Sequence, residues 1–315
     1  MSGRRIVSVI TTFLNAERFL AEAVESVLAQ DFDAWEYILV DDGSSDDSSA
    51  IAREYAARYP GKVRYLDHPD HRNLGQSASR NAAMRIASGT HIAYIDADDV
   101  WLPDKLRRQM DILSAEPEVG LVCGASRYWY SWSGKPDRED HVVQVGATQD
   151  RVLPPPEPLL TLYPLGSGAA PVPSGLLVRR SLVEAVGGWD ESYRGPLQPY
   201  EDQAFLAKIY LTAPIFVASH CLDQYRQHPD SCMARMKRNH QYHVVRRYFL
   251  QWLEDYLRRG GICDARVQRA LRRALTRYRH PALGALQTAI GSCRRVVTTG
   301  SHPPRLHGPR LKAKG

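Results

Sequence analysis

The chain has 315 residues, of which 43% are hydrophobic, and a net charge of +6. It is long enough for one large domain, or for one domain with an extension. No apolar run approaches the ~20 residues of a membrane helix, so we expect none. The opening MSGRRIVSVITTFL alternates like a strand, which argues against a signal peptide. The five cysteines lack metal or redox spacing, so a cytoplasmic location is the simplest prediction.

The charge is unevenly distributed along the chain. From Met233 onward there are 19 Lys and Arg against 3 Asp and Glu, which gives a charge of +16. Residues 1–232 hold 22 basic and 32 acidic side chains, which gives −10. Such asymmetry is typical of a protein with an anionic partner. Solvated helix faces and a flexible tail would also explain it.

The N-terminal third alternates strand and helix patterns. Apolar, β-branched runs predict four strands, over Arg5–Thr12, Tyr37–Asp42, Val63–His68 and His91–Asp99. Helical spacing and capping residues predict helices over Ala16–Gln30, from Ser44 or Ser45 to Tyr59, over Gly75–Gly89, and from Pro103 onward. Strands that alternate with crossover helices indicate an α/β protein with a parallel, doubly wound sheet.

Three polar clusters fall at the carboxyl ends of these predicted strands. They are Thr11–Thr12, Asp41–Asp42 and Asp96–Asp99. Open α/β sheets bind their ligands beyond the carboxyl ends of the strands. We therefore expect the three clusters to share one ligand site, although they are far apart in sequence.

The pattern is weaker beyond Gly120. GLVCGASRYWY and SGLLVRR read as strands, and the Pro- and Gly-rich segment between them, residues 134–173, reads as a long functional or disordered loop. A helix is predicted over Tyr200–Ala213, followed by a strand and a polar loop. Arginine-rich helices are predicted over Met236–Tyr278, and the last twenty residues are typical of disorder.

The sequence DADD, from Asp96 to Asp99, places three carboxylates directly after a strand. Carboxylates this close require a cation or must share protons. Hard oxygen ligands suit Mg²⁺ or Mn²⁺, which are commonly held by one or two carboxylates together with substrate phosphates. The alternative is a solvated loop in which Asp99 caps the next helix. The position at a strand end favours the metal site.

The sequence DDGS follows the second strand. Asp42 can accept a hydrogen bond from a ribose hydroxyl or a base N–H, and Gly43 allows a close backbone approach. A simple turn with a serine cap would explain Gly43 and Ser44 but not Asp42. No G-x-G-x-x-G or Walker sequence is present, so a classical dinucleotide site or P-loop is not supported.

Five stretches together resemble the family 2 glycosyltransferases of GT-A fold: VSVITTFLNAERFLAEAVESVLAQ, EYILVDDGSSDDS, GQSASRNAAMRIASGTHIAYIDADDVWLPDKL, GGWDE and YEDQAFLAKIY. They span residues 5–232 in the order of the family. The resemblance implies a GT-A, mostly parallel doubly wound sheet with a C-terminal helical extension. It also implies an inverting, metal-dependent enzyme that uses a nucleotide diphosphate sugar, with a UDP-sugar favoured, and Mn²⁺ or Mg²⁺.

The resemblance carries roles to individual residues. Asp202 matches the general base, with the helix dipole as its structural alternative. Asp98 matches a metal ligand, and His228 a second one, although His228 could be an ordinary loop histidine. The remaining implied roles are donor nucleotide contacts for Thr12, Asp42, Arg80 and Asp96, a diphosphate contact for Arg226, and an acceptor region of Trp189, Asp190 and Glu201. Trp189 would alternatively be a core residue.

The chain departs from the family pattern at the end of the first strand. The sequence TTFLN contains no proline and has Leu14 where an aromatic ring usually stacks on the base. The predicted division is a nucleotide-sugar half (1–115), an acceptor half (116–232), a basic helical extension (233–294) and a disordered tail (295–315).

Two other functions remain open. The basic C-terminal helices would suit an anionic-surface or nucleic-acid binding protein, although DADD argues against nucleic acid. A sugar-nucleotide-binding protein without transfer is the second alternative. The acceptor is open between a lipid-linked glycan, a small natural product and a peptide. The basic extension leads us to expect peripheral contact with an anionic membrane at its inner, cytoplasmic face.

Overall fold

The computed structural model describes residues 6–134 and 138–279. The predicted tail at 295–315, and the end of the predicted extension from residue 280, lie outside these residues. The division into two halves, an extension and a tail stays a prediction.

Four parallel strands form the first part of the sheet, as predicted. They are β1 (Val7–Phe13), β2 (Trp35–Asp41), β3 (Val63–Asp67) and β4 (His91–Tyr94), in the order β3-β2-β1-β4. Parallel neighbours need a crossover connection, which helices supply. These are α1 (Leu20–Leu28), α2 (Ser48–Arg58) and α3 (Gln76–Ile86). The carboxyl ends of β1, β2 and β4 therefore meet at one edge.

Both faces of this sheet are buried. Val9 and Tyr37 belong to one hydrophobic core, whereas their strand neighbours Ile10 and Ile38 belong to another on the opposite face. Burial on both faces explains why the strand sequences are almost continuously apolar. The predicted doubly wound arrangement is confirmed.

The rest of the sheet mixes parallel and antiparallel pairs. Its strands are β5 (Val100–Trp101), β6 (Leu121–Trp129), β9 (Leu177–Arg179) and β10 (Ile215–Arg226). The order continues β4-β9-β6-β10-β5, in which β9 pairs antiparallel with both neighbours and β6 pairs parallel with β10. The helices are α4 (Lys105–Ala115), α6 (Arg180–Ala185) and α7 (Glu201–Thr212).

The Pro- and Gly-rich segment contains regular structure that was not predicted. It includes β7 (His141–Val143), β8 (Arg151–Leu153) and α5 (Glu157–Thr161). β7 pairs with β6, and β8 pairs with β10. Three-residue strands are too short for a period-2 pattern to be recognised, and their pairing with long neighbours fixes them instead.

The start of α2 was predicted wrongly. The helix begins at Ser48 rather than at Ser44 or Ser45. The Ser44 amide donates to Asp41 Oδ1 at 2.8 Å, and Ser44 Oγ accepts from the Asn15 amide at 3.1 Å. These bonds hold residues 41–44 in a turn, so helical hydrogen bonding starts one turn later.

The basic extension is helical as far as it is described. Its helices are α8 (Cys232–Arg238), α9 (Tyr242–Arg259) and α10 (Ala265–Arg279). α9 and α10 bury one apolar face each in the main core, for example at Phe249 and Leu271. Within residues 6–134 and 138–279, no helix has both the length and the apolar character needed to cross a membrane.

Candidate active site

The polar residues that end β1 differ in their hydrogen bonding. Thr11 Oγ1 donates to the Ile95 carbonyl at 2.9 Å and lies 2.8 Å from the Tyr37 hydroxyl. Thr12 Oγ1 is buried and has no hydrogen-bond partner among the described residues. A buried hydroxyl without a partner is costly, so Thr12 is available to a ligand at this edge. Leu14, two residues after Thr12, is 44% exposed.

Asp41 and Asp42 organise the loops around the end of β2. Asp42 accepts from the amides of Leu74 and Gly75 at 2.8 and 3.0 Å, which fixes the chain where it enters α3. Burial raises the pKa of the Asp42 carboxyl, and these amides lower it. Gly43 is required here, because its φ is +83° and a Cβ would lie 2.9 Å from backbone atoms of residues 71 and 73.

Asp98 lies beside His228, which comes from the loop after β10. His228 Nε2 is 2.9 Å from Asp98 Oδ2, although 130 residues separate them in sequence. The Asp98 side chain is 28% exposed, so its carboxylate faces the edge of the sheet. One carboxylate and one imidazole fit Mn²⁺ or Mg²⁺ only if water or ligand phosphates complete the shell. In the described residues, no group of three or more His, Cys, Asp or Glu side chains could hold a metal ion.

Ser174 links the other two aspartates of DADD. Its Oγ accepts from the Asp96 amide at 3.0 Å and donates to Asp99 Oδ2 at 2.5 Å. Asp99 also accepts from the Arg226 amide at 2.9 Å. Burial, together with the charges of Asp98 and Asp96, raises the pKa of Asp99 well above its usual value. Asp99 is thus fully enclosed and holds the loop in place, while Asp98 is open.

We expect Ser174→Ala to lower the free energy of unfolding by about 1–3 kcal/mol, because Asp99 Oδ2 and the Asp96 amide lose the hydrogen bonds that Ser174 makes to them. The same change should weaken metal-dependent ligand binding, since the loop that carries Asp98 loses a support. Thermal unfolding with and without Mn²⁺ measures both effects. Ser114→Ala, which removes only an exposed bond to the Met110 carbonyl, is the control. Equal behaviour of the two variants would contradict this role of Ser174.

Arg80, on α3, connects the DADD loop with the start of α7. It is 2% exposed and binds Asp96 Oδ1 at 2.9 Å and Glu201 Oε1 at 2.5 Å. Its guanidinium lies 4.1 Å from the centre of the Trp189 ring. Ser77 Oγ also donates to Glu201, at 3.2 Å. Burial raises the pKa of Glu201 to about 7, although Arg80 acts in the opposite direction.

The residues predicted for the acceptor region are largely enclosed. Trp189 is buried, stacks on Phe205 at 4.1 Å and donates through Nε1 to the Tyr94 hydroxyl at 3.1 Å. Asp190 Oδ2 accepts from Trp252 Nε1 of α9 at 2.7 Å. Trp189 thus packs against α7 and Asp190 bonds to α9, while the Arg80 ion pair of Glu201 holds the start of α7. The acceptor roles of the three residues stay predictions.

Asp202 lies in the first turn of α7 and makes no ion pair among the described residues. It accepts from the amide and the side chain of Gln203, at 2.7 and 3.2 Å. Burial raises the pKa of Asp202 to about 6, although the hydrogen bonds from Gln203 and the charge of Arg80 act in the opposite direction. A carboxylate that makes no ion pair among the described residues and has a pKa just below neutrality suits a general base.

Arg226 is enclosed rather than open to the site. Its Nη2 binds Glu22 at 2.5 Å, and its Nε donates to the Asp98 carbonyl at 2.6 Å. Three aromatic rings surround the guanidinium at 4.4–5.2 Å: Phe19, Trp129 and Trp132. Arg226 therefore positions the loop that carries Asp98 and Asp99. Its predicted contact with a diphosphate stays a prediction and would require the bond to Glu22 to open.

Two residues of the site were missed in the sequence. Ser174 lies at the end of the Pro-rich segment, and Gln76 donates from α3 to Asp96 Oδ1 at 3.2 Å. The only sequence signal for Ser174 is a small polar residue between a proline and a glycine, at the start of the predicted strand SGLLVRR. Gln76 starts the helix that carries Arg80, and its position one turn earlier could have suggested a shared target.

The sequence matches the family described as Glycosyl transferase family 2 over residues 8–187, which is more than half of the chain. The chain belongs to glycosyl transferase family 2. Among its family 2 relatives is an uncharacterized glycosyltransferase of Nostoc sp., 31% identical over 180 residues, or 57% of this chain and 52% of the relative. Another is the UDP-Glc:alpha-D-GlcNAc-diphosphoundecaprenol beta-1,3-glucosyltransferase WfgD of Escherichia coli, 32% identical over 108 residues, or 34% and 41% of the two chains. The chain thus spans about half, or less, of these relatives.

Solved structures confirm the predicted GT-A fold. S. aureus TarS in complex with UDP-GlcNAc superposes with a TM-score of 0.61, at 20% identity, over 87% of this chain and 72% of TarS. The mannosyltransferase PcManGT from Pyrobaculum calidifontis, in complex with GDP-Man and Mn²⁺, gives a TM-score of 0.60 at 20% identity, over 95% and 77% of the two chains. At these identities the similarity establishes the fold alone.

Proposed function

We propose that this family 2 protein is a metal-dependent, inverting glycosyltransferase. It transfers a sugar from a nucleotide diphosphate sugar to an acceptor hydroxyl. The observation that carries this proposal is the convergence of three groups at one sheet edge. Asp98 with His228, Asp96 with Arg80, and Glu201 with Asp202 come from four segments that are remote in sequence. Stability of the fold does not explain why Asp98 stays partly exposed or why Asp202 makes no ion pair among the described residues.

The donor nucleotide is assigned to the ends of β1 and β2. Thr12 offers an unpartnered hydroxyl, Asp42 a carboxylate held by two amides, and Asp96 a carboxylate oriented by Arg80. A uridine donor is favoured, because the name of WfgD specifies UDP-Glc and TarS was solved with UDP-GlcNAc. A guanosine donor is the alternative, because PcManGT was solved with GDP-Man.

The metal ion is assigned to Asp98 and His228, whose oxygen and nitrogen atoms suit Mn²⁺ or Mg²⁺. Donor phosphates would complete the shell, since these two side chains alone cannot. When bound, the cation supplies positive charge against the growing negative charge of the leaving nucleoside diphosphate. Asp99, Ser174 and Arg226 hold the Asp98 loop, so that its carboxylate is already oriented before the ligand arrives.

Asp202 is assigned as the base that takes the proton of the acceptor hydroxyl as it attacks. Glu201 is less suited, because its carboxylate is occupied by Arg80 and Ser77. Attack from the face opposite the leaving group inverts the anomeric carbon and needs no covalent intermediate. The mechanism therefore requires a single free carboxylate, and Asp202 provides it.

The acceptor remains open among three classes. The name of WfgD specifies an acceptor on a diphosphoundecaprenol lipid, which favours a lipid-linked glycan. A small natural product and a peptide are the other outcomes. A cytoplasmic protein at the inner membrane face would meet a lipid-linked acceptor there.

The test is a thermal-shift panel of UDP-, GDP- and dTDP-sugars, each with and without Mn²⁺ or Mg²⁺. We expect one nucleotide class to raise the unfolding midpoint, and only with metal. A donor at 100 times its Kd stabilises the folded state by about 2.7 kcal/mol. Asp98→Asn should remove the metal-dependent part of the shift. No shift with any donor, or equal shifts with and without metal, would contradict the proposed site.

A further inference from the structure

The C-terminal helices expose a surface that is both basic and apolar. We name it the α8–α9 surface, and its members are Met233, Arg235, Lys237, Arg238, Tyr242, Val244 and Arg247. The side chains of all seven are exposed. α8 and α9 both pack against the short 3-10 segment Gly195–Tyr200, so the two helices are neighbours in the fold. The Tyr278 hydroxyl, near the end of α10, lies 3.4 Å from His243 Nδ1, which brings the end of α10 beside the start of α9.

The positive charge of this surface is not neutralised within the protein. The sequence has no acidic residue between Asp230 and Glu254. Among the described residues, none of the four basic side chains of the surface has a carboxylate within ion-pair distance. Other arginines of the extension do pair, as Arg266 does with Asp264 at 2.8 Å. The α8–α9 surface therefore carries a charge that an external anion can meet.

The same surface concentrates exposed apolar side chains. Within the described part of the chain, five large apolar residues are exposed, and three of them are Met233, Tyr242 and Val244. Val244 is the most exposed of the five, at 61%. Scattered exposed apolar residues need no explanation, but these three lie within twelve positions of the chain, among basic residues that make no ion pair in its described part.

The α8–α9 surface begins next to the candidate active site. The 3-10 segment on which both helices pack leads directly into Glu201 and Asp202. Cys232 is the first residue of α8. Burial, and then the charges of Glu201 and Asp202, raise the pKa of its thiol to about 11. A partner on this surface would therefore lie close to the proposed base.

We propose that the α8–α9 surface docks on an anionic lipid bilayer. The basic side chains meet the headgroups, and the exposed apolar side chains enter the interfacial region. A nucleic acid would use the positive charge but leaves exposed Val244 and Met233 without a role. Residues 1–232 carry a charge of −10. The anionic surface repels this charge, which favours the orientation in which α8 and α9 meet the bilayer. Docking does not depend on sugar transfer.

The experiment is co-sedimentation of the full chain with vesicles of phosphatidylcholine alone or with ~30 mol% phosphatidylglycerol. We expect binding only to the anionic vesicles, and its loss as salt rises from ~0.1 to ~0.5 M. The variant Arg235→Gln/Lys237→Gln/Arg238→Gln should bind about 100-fold more weakly, since each basic residue near the surface contributes about fivefold. Val244→Asp should also weaken binding. The matched control is Arg58→Gln/Arg85→Gln/Arg107→Gln, which neutralises exposed residues of the N-terminal half.

The outcomes separate the alternatives. No binding to anionic vesicles overturns the proposal, as does equal weakening by the two triple variants. Unchanged binding of the α8 variant, with loss in a variant whose basic residues at 305–314 are neutralised, would place the contact in the tail instead. Tighter binding of single-stranded RNA than of vesicles would make nucleic acid the partner.

Thermal midpoints of all variants confirm that they fold. A chain that docks but shows no donor-induced thermal shift would contradict the proposed transferase function and leave the docking intact.

Discussion

Asp202→Asn is expected to lower donor turnover by about 10²–10⁴-fold while leaving donor affinity almost unchanged. Asparagine fits the same space but cannot accept a proton. The measurement is release of nucleoside diphosphate from whichever donor gives the thermal shift, with water as acceptor, so that the natural acceptor is not needed. Donor affinity comes from the shift itself. Turnover equal to that of the unaltered protein would rule out Asp202 as the base.

The pH dependence of turnover gives a second readout for the same residue. Burial raises the pKa of Asp202 to about 6, and only the deprotonated carboxylate acts as a base. Turnover should therefore fall about tenfold per pH unit below about pH 6 and level off above it. Asp202→Asn should remove this limb. Asp190→Asn is the matched control, because it changes a neighbouring carboxylate that binds Trp252, and it should keep the limb.

The parts of the site that could be predicted from sequence are those attached to regular elements. DADD and DDGS follow strands whose apolar runs are long, and parallel neighbours must end at the same edge. Asp202 was predicted near the start of a helix, and it lies in the first turn of α7, while its role as the base stays a prediction. In each case a short-range pattern fixes the element, and the topology of the sheet then fixes where the side chain lies.

The parts that could not be predicted depend on contacts between remote segments. Glu201 binds Arg80 across 121 residues, and the Arg226 amide reaches Asp99 across 127. No local pattern marks such pairs, because either partner alone would read as a surface charge. Ser174 was missed for the same reason, since its role depends on β9 being inserted next to β4. The run SGLLVRR predicts the strand itself, but nothing in the run indicates which strands it pairs with.

Asp98→Asn is expected to abolish metal-dependent donor binding and to lower turnover on the order of 10²-fold or more. The change removes the negative charge of Asp98, which binds neither Arg80 nor Ser174, while Asp96 stays paired with Arg80 and Asp99 stays bound to Ser174. The fold should therefore be retained. Titration of Mn²⁺ at a fixed donor concentration, followed by thermal shift and by nucleoside diphosphate release, measures both effects.

His228→Gln tests the second assigned ligand in the same titration. Loss of the imidazole nitrogen should raise the Mn²⁺ concentration needed for half of the shift by about 10–100-fold. His220→Gln is the matched control, because His220 is an exposed histidine on the same strand that leads to His228. If His228→Gln and His220→Gln require the same Mn²⁺ concentration, His228 does not hold the metal. Its hydrogen bond to Asp98 would then only position the loop. If Asp98→Asn also leaves the titration unchanged, the metal site lies elsewhere, and the convergence at this sheet edge serves the donor alone.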